Sequence, residues 1–77
     1  MKYFLDYRSK NYKLLSVMCE RWEMTGYLLS SFEYLDCSED DLKKLNNLGF
    51  ITLMDGYAFL EEEGYVAYRE AHERLIG

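Results

Sequence analysis

Several residue types are scarce in this chain of 77 residues, and their scarcity limits the kinds of site it can form. It contains no proline, one histidine and two cysteines. Cys19 and Cys37 lack the close C-x-x-C spacing of metal sites, and with His72 alone they do not complete the four-ligand set of structural zinc. We therefore predict two reduced, partly buried thiols and no metal or cofactor.

The sequence also lacks long apolar runs. It contains no stretch of about 18 apolar residues, so no membrane span is predicted. Residues 1–6 lack the apolar segment of a secretory signal, and we expect a cytoplasmic protein. Hydrophobic residues make up 49% and aromatic residues 17% of the chain. This composition favours a folded core, and the length suits a single domain over residues 1–77.

Basic residues are few and unevenly placed. The chain has nine Lys or Arg against fourteen Asp or Glu, a net charge of −5. Residues 1–22 have a net charge of +3, whereas residues 23–77 have −8. An acidic body repels phosphate and slows encounter with nucleic acid. Alternatively, the basic N-terminal part packs beside acidic helices and neutralises them.

Residues 38–64 are the most informative stretch, and they predict a helix, a tight hairpin and the start of another helix. Ser38 is a good N-cap, and the three acidic residues after it suit the positive end of a helix dipole. Leu42 and Leu45 would face a core. Gly49 is placed where a helix commonly ends in the left-handed conformation.

The dipeptide Asp55-Gly56 predicts a type I′ hairpin turn, which requires positive φ at both positions. Strand alternation then assigns side chains to two faces. The predicted core face comprises Ile51, Leu53, Ala58 and Leu60. The second face comprises Phe50, Thr52, Met54, Tyr57 and Phe59. Because this second face is also apolar, it must be covered, for example by Tyr3 and Phe4, or used in binding.

Two motifs in this stretch resemble winged-helix domains. Segment 45–51 (LNNLGFI) resembles the end of helix 3 and the start of the first wing strand. Segment 60–64 (LEEEG) resembles the step from the second wing strand into the last helix, although the family often has Thr where Glu61 stands. The resemblance implies an α+β, mainly helical fold with three helices, a two-stranded β-hairpin wing and a C-terminal helix, in one winged-helix domain.

Helical spacing of apolar residues places the other helices. The first is expected from about residue 9 to 22, with Ser9 as N-cap; residues 2–7 could be strand or an extension of this helix. The second is expected over residues 27–35 and the last over 61–76. The predicted core positions are Leu14, Leu15, Met18 and Trp22 in the first helix, Leu28, Leu29, Phe32 and Leu35 in the second, and Tyr65, Tyr68, His72 and either Leu75 or Ile76 in the last.

The resemblance implies a transcription-regulator-like module in which helix 3 enters the DNA major groove. The DNA-binding residues would then be Lys43 and Lys44 for phosphate and Asn47 for a base, with Arg8, Lys10 and Lys13 from the N-terminal part. Because these contacts are few, binding would be weak or would depend on a homodimer. The helix tip is acidic, and the short wing contains no cation.

An alternative hypothesis is a protein-contact or inhibitor module that does not bind DNA, as in some small phage or plasmid proteins. It depends on the acidic tip at Glu39 and Asp40, and on the apolar face with Met54, Tyr57 and Phe59. The partner could be a nucleic-acid-binding protein. The sequence has no nucleophile motif, no paired carboxylates in an expected cleft and no Gly-rich phosphate loop. We therefore predict that it is not an enzyme, and no small-molecule ligand is implied.

Overall fold

Helices make up most of the structure, and a small antiparallel sheet packs with them. The computed structural model describes residues 5–76. In this range the elements are α1 (Lys10–Thr25), β1 (Leu29–Ser31), α2 (Phe32–Leu35), α3 (Glu39–Asn47), β2 (Ile51–Met54), β3 (Tyr57–Leu60) and α4 (Glu62–Ile76). The strand order is β1-β3-β2. The α+β, mainly helical class is thus confirmed, but the sheet has three strands instead of the predicted two.

Serine side chains start the first three helices. Each hydroxyl accepts a hydrogen bond from the backbone N–H three residues later, which satisfies a donor that the helix itself leaves free. The caps are Ser9 for α1, Ser31 for α2 and Ser38 for α3. The predicted caps at Ser9 and Ser38 are confirmed. The cap at Ser31 shows that α2 begins later than the sequence predicted.

The predicted helix over residues 27–35 is wrong in its first half. Leu29 to Ser31 form β1, which pairs with β3 in the register Leu29↔Phe59 and Ser31↔Tyr57. Strand β3 supplies backbone partners that no local rule anticipates, and Ser31 then favours a cap over a helix interior. As a result Leu28 and Leu29 are 37% and 43% exposed, not buried as predicted. Leu75, one of the two alternatives predicted for the core side of the last helix, is 48% exposed.

The β2–β3 hairpin has the predicted register, from Ile51↔Leu60 to Met54↔Tyr57. Its turn is not type I′, since Gly56 has φ 78° while Asp55 does not have positive φ. Phe50 was assigned to the second face of the hairpin, and this was also wrong. It precedes β2 and is buried, and its carbonyl accepts a hydrogen bond from the Glu61 N–H at 3.0 Å.

The core lies between α1, α3, α4 and the inner face of the sheet. Leu15, Leu42, Leu45 and Ala58 are fully buried. Trp22 was predicted as a main core residue but is only half-buried, packed edge-on against Tyr65 with ring centroids 4.8 Å apart. The C-terminal half of α1 is thus covered incompletely, and the indole forms one wall of a surface groove.

For residues 2–7, before α1, the sequence allows either a strand or an extension of the helix. Residues 2–4 lie outside the described range, and so does the predicted cover of the hairpin by Tyr3 and Phe4. From Leu5 to Ser9 the chain is neither helix nor strand. Leu5 is buried, its carbonyl accepts a hydrogen bond from Arg74 Nη2 at 2.7 Å, and the N-terminal segment is thereby tied to α4.

Candidate interaction surfaces

The exposed face of α3 brings together the predicted DNA-binding residues Lys43, Lys44 and Asn47. Leu42 and Leu45 are fully buried and orient the helix so that these polar side chains point to solvent. Glu39 and Asp40, at the N-terminal end, are exposed as well. The helix therefore presents both lysines and carboxylates, and carboxylates occupy the end that would approach a phosphate.

Lys10 does not extend this basic surface freely. Its Nζ lies 3.1 Å from Oδ2 of Asp41, whose side chain is 13% exposed. The Lys10 ammonium, followed by the Ser38 hydroxyl, holds the pKa of the Asp41 carboxyl below its usual range. The ion pair joins the start of α1 to the start of α3, so it serves the fold.

Arg8 is likewise engaged next to its own position in the chain. Its Nε lies 3.4 Å from Oδ1 of Asp6, and its backbone N–H donates to the same oxygen at 2.9 Å. This backbone hydrogen bond is the main reason why the pKa of Asp6 is lowered. Lys13 is exposed on α1. Two of the three predicted N-terminal DNA contacts, Arg8 and Lys10, are therefore already paired with carboxylates.

The solvent-facing side of the sheet is apolar, as predicted for the hairpin. Cross-strand partners share a face, which places β1 residues beside those of β3 and β2. We call this surface the outer face; it comprises Leu29, Ser31, Thr52, Met54, Tyr57 and Phe59. Leu29 is 43%, Met54 45% and Tyr57 49% exposed, while Phe59 is half-buried. The predicted contact residues Met54, Tyr57 and Phe59 are thus together on one surface.

At both edges of the sheet, a side chain forms a hydrogen bond with a backbone group of the edge strand. Asn46 Oδ1 accepts from the Leu53 N–H at 3.3 Å on the β2 edge. Arg21 Nε donates to the Leu29 carbonyl at 3.4 Å on the β1 edge. These contacts hinder addition of a further strand, so the face is more accessible than the edges.

Arg21 also organises two exposed tyrosines that the sequence interpretation missed. Its guanidinium lies 4.5 Å from the ring centroid of Tyr34 and 5.3 Å from that of Tyr27. The two rings are 51% and 61% exposed. Neither tyrosine stood out, because Tyr27 and Tyr34 were assigned to one continuous helix.

A groove of about 290 Å³ adjoins the outer face and shares Phe59 with it. We call it the Trp22 groove. Its apolar walls are Trp22, Leu28, Phe59, Leu60 and Tyr65, and its acidic side chains are Glu61 and Glu62. The Tyr65 hydroxyl donates to Glu23 Oε2 at 2.8 Å, and this hydrogen bond raises the pKa of Tyr65. The groove depends on the strand conformation of residues 29–31, which is why the sequence did not predict it.

His72 belongs to an aromatic contact between α1 and α4. Its Nδ1 lies 3.3 Å from the Tyr12 hydroxyl, and its ring stacks on that of Tyr68 with the two centroids 5.7 Å apart. Tyr68 also stacks on Tyr12 at 5.6 Å. Burial raises the pKa of Tyr68 to about 12. These contacts join two helices, and they give His72 a packing role.

The two cysteines are free thiols. Burial raises the pKa of Cys19 to about 12 and also raises that of Cys37, which favours the unreactive thiol form. Across residues 5–76, no group of three or more His, Cys, Asp or Glu side chains is placed to hold a metal ion. Within the same range, no helix has the length and apolar character needed to cross a bilayer.

The chain was compared with protein-family models, with curated proteins and with solved structures, and none of them matched. The chemistry of its own surfaces is therefore what indicates a function.

Proposed function

We propose that the chain is a non-catalytic winged-helix module that acts by binding another protein through its outer face. The observation that supports this most directly is the exposure of Leu29, Met54 and Tyr57 together on a hydrogen-bonded sheet. Contiguous exposed apolar side chains commonly mark interaction sites, whereas single scattered ones do not. Aromatic residues and methionine are also enriched at the centres of protein interfaces.

The winged-helix assignment is supported by the order of the elements and by two glycines. Helix α3 leads directly into the β2–β3 hairpin, and α4 follows it, as the resemblance implies. Gly49 has φ 81°, the left-handed conformation expected at this helix end. Gly64, at the second motif, lies directly against the Phe50 carbonyl. In each motif, glycine thus stands where a larger residue would be strained or would clash.

Charge indicates the kind of protein partner. The chain has a net charge of −5, and Glu39 and Asp40 lie exposed at the tip of α3. Arg8 and Lys10 are paired with carboxylates, so these two cations add little free positive charge near the tip. Complementary charge speeds and orients association, so a basic surface, as in a nucleic-acid-binding protein, is the favoured partner.

Affinity capture with matched variants tests this proposal. The outer-face variant is Met54→Ser with Tyr57→Ser, and the control is Val66→Ser with Leu75→Ser on α4. All four side chains are exposed to a similar degree, from 44% to 49%. We expect at least one protein to be retained by the wild type and the control but lost with the outer-face variant. The purified partner should then show the same difference in a direct titration. Identical captured proteins for all three chains would refute the proposal.

A second candidate is DNA binding through α3, favoured by the exposure of Lys43, Lys44 and Asn47 on one helix face. Anisotropy with a labelled duplex at low salt measures it. This candidate requires a Kd below about 100 μM that weakens as salt is added, since phosphate contacts release counterions. It also requires Lys43→Glu with Lys44→Glu to abolish binding. Absence of binding in that range eliminates it.

A further inference from the structure

We propose that the Trp22 groove binds a basic peptide segment of the partner, which packs one apolar side chain against the wall formed by Trp22 and Tyr65. This rests on the proposed protein-binding function and specifies the chemistry of the partner. The two surfaces adjoin at Phe59, so one extended segment can contact the outer face and the groove together.

The size and walls of the groove favour a side chain as the ligand. Its volume of about 290 Å³ lies just below the roughly 300–1,000 Å³ typical of small-molecule sites. Trp22 and Tyr65 meet edge-on at one end, with centroids 4.8 Å apart, which forms a firm aromatic wall. Buried apolar anchors of this kind commonly dominate the binding energy of an interface.

The acidic residues of the groove favour a cationic flank on the peptide. Glu61 and Glu62 are part of the lining, and Glu61 is held in place by a hydrogen bond from the Thr52 hydroxyl. Glu62 is exposed in the first turn of α4, and no ion pair recorded within residues 5–76 engages it. Its carboxylate is therefore available to a lysine or arginine of the peptide.

The nearby arginines do not cancel this charge. Arg69 Nη1 lies 3.9 Å from Glu23 Oε2, so it neutralises the carboxylate behind Tyr65. Arg21 lies over the rings of Tyr27 and Tyr34 and does not line the groove. The negative charge at the groove is thus the charge of Glu61 and Glu62, and a basic segment complements it.

Titration of the isotopically labelled chain with synthetic peptides, followed by NMR, tests the inference. The probe is a nine-residue peptide with a central leucine and two arginines on each side of it. One matched peptide has serine in place of leucine, and a second has glutamate in place of arginine. We expect the probe to bind with a Kd below about 1 mM and both matched peptides to bind at least about fivefold more weakly. Amide shifts should change at Leu28, Glu62 and Tyr65.

Two adjacent carboxylates provide a matched pair of variants. Glu62→Lys should weaken probe binding about fivefold, because an attraction becomes a repulsion at an exposed site. Glu63→Lys, in the same turn but outside the groove lining, should change it less than about twofold. Leu28→Gln should also weaken binding, because it places a polar group in the apolar wall. Far-UV circular dichroism confirms that each variant is folded.

Other outcomes would overturn the inference. Equal binding of the leucine and serine peptides would indicate general charge attraction, and absence of binding at 1 mM would exclude a peptide groove. Shift changes at Met54 and Tyr57 instead of Leu28 and Glu62 would refute the groove while supporting the outer face. Conversely, groove binding together with a negative capture experiment would refute only the outer-face proposal, so the two failures are distinguishable.

Discussion

Lys10 Nζ lies 3.1 Å from Asp41 Oδ2 and links the first turn of α1 to the first turn of α3. Both ends are also capped, by Ser9 and Ser38. A lysine that the sequence assigned to DNA phosphate is therefore paired with a carboxylate of the same chain. The basic N-terminal part neutralises an acidic helix end here, which was the alternative reading of the charge asymmetry.

This ion pair predicts a specific acid sensitivity. Lys10 lowers the pKa of Asp41 in the folded chain relative to an unfolded value of about 3.9. The unfolded state therefore binds the proton more readily than the native state does. The stabilisation from Asp41 is complete above the unfolded pKa and is lost as pH falls through the folded pKa. Urea unfolding from pH 7 to pH 2 should show Asp41→Asn less stable than wild type at neutral pH, with the difference shrinking in acid.

Asp40→Asn is the matched control for this experiment, because Asp40 is exposed on the same helical turn. We expect its pH dependence to stay close to that of the wild type. A wild-type and an Asp41→Asn curve that remain parallel through the acid range would contradict the role of the ion pair.

Gly64 is predicted to tolerate no larger side chain. A Cβ at this position would overlap the Phe50 carbonyl oxygen and lie 3.0 Å from the carbonyl carbon. That carbonyl is fixed by the Glu61 N–H, so it does not move aside easily. Although alanine favours helices, Gly64→Ala should destabilise the fold by about 1–3 kcal/mol, the usual cost of overpacking. The midpoint temperature of thermal unfolding should fall by several degrees for each kcal/mol of stability lost.

Glu63→Ala controls for helix propensity in the same turn. Its side chain is exposed, and the change should alter stability by no more than about 0.5 kcal/mol. If Gly64→Ala were instead as stable as the wild type, α4 would have to be separated from the Phe50 carbonyl by more than the structure shows.

The two faces of the sheet should differ sharply in their effect on stability. Ile51 is 1% exposed on the inner face, and Ile51→Ala should cost about 2–5 kcal/mol through lost burial and a residual cavity. Met54 is 45% exposed on the outer face of the same strand. Met54→Ser should therefore lower the free energy of unfolding by less than about 1 kcal/mol. Guanidinium unfolding measures both. Comparable losses at the two sites would mean that the outer face is covered in the monomer.

The thiols should differ in their reaction with iodoacetamide. Burial raises the pKa of Cys19 to about 12, so almost none of it is thiolate near neutral pH. Cys37 is only partly buried and should be alkylated first. Mass spectrometry over time at pH 8 should show that the first alkyl group is added faster than the second. In denaturant, the two cysteines should be alkylated at similar rates. Faster labelling at Cys19 would contradict its burial.

Local chemistry was sufficient to predict several elements. Ser9 and Ser38 supply acceptors for free N–H groups, so helix starts could be placed from single residues. The Asp55-Gly56 dipeptide and the alternating side chains determined the hairpin register, although the Asp55 conformation was mistaken. Helices α1, α3 and α4 followed from apolar spacing, because one buried stripe is enough to define a helix face.

Only the tertiary structure revealed β1, the Trp22 groove and the pairing of Lys10 with Asp41. Leu29 takes its backbone partners from Phe59, far along the chain, and helical spacing in residues 27–35 contains no record of that pairing. The groove forms only when β1 lies beside β3 and leaves Trp22 half-covered. The sequence by itself determined the helices and the hairpin through interactions within a few residues. Contacts between distant segments decided which apolar side chains are buried and which remain free to bind.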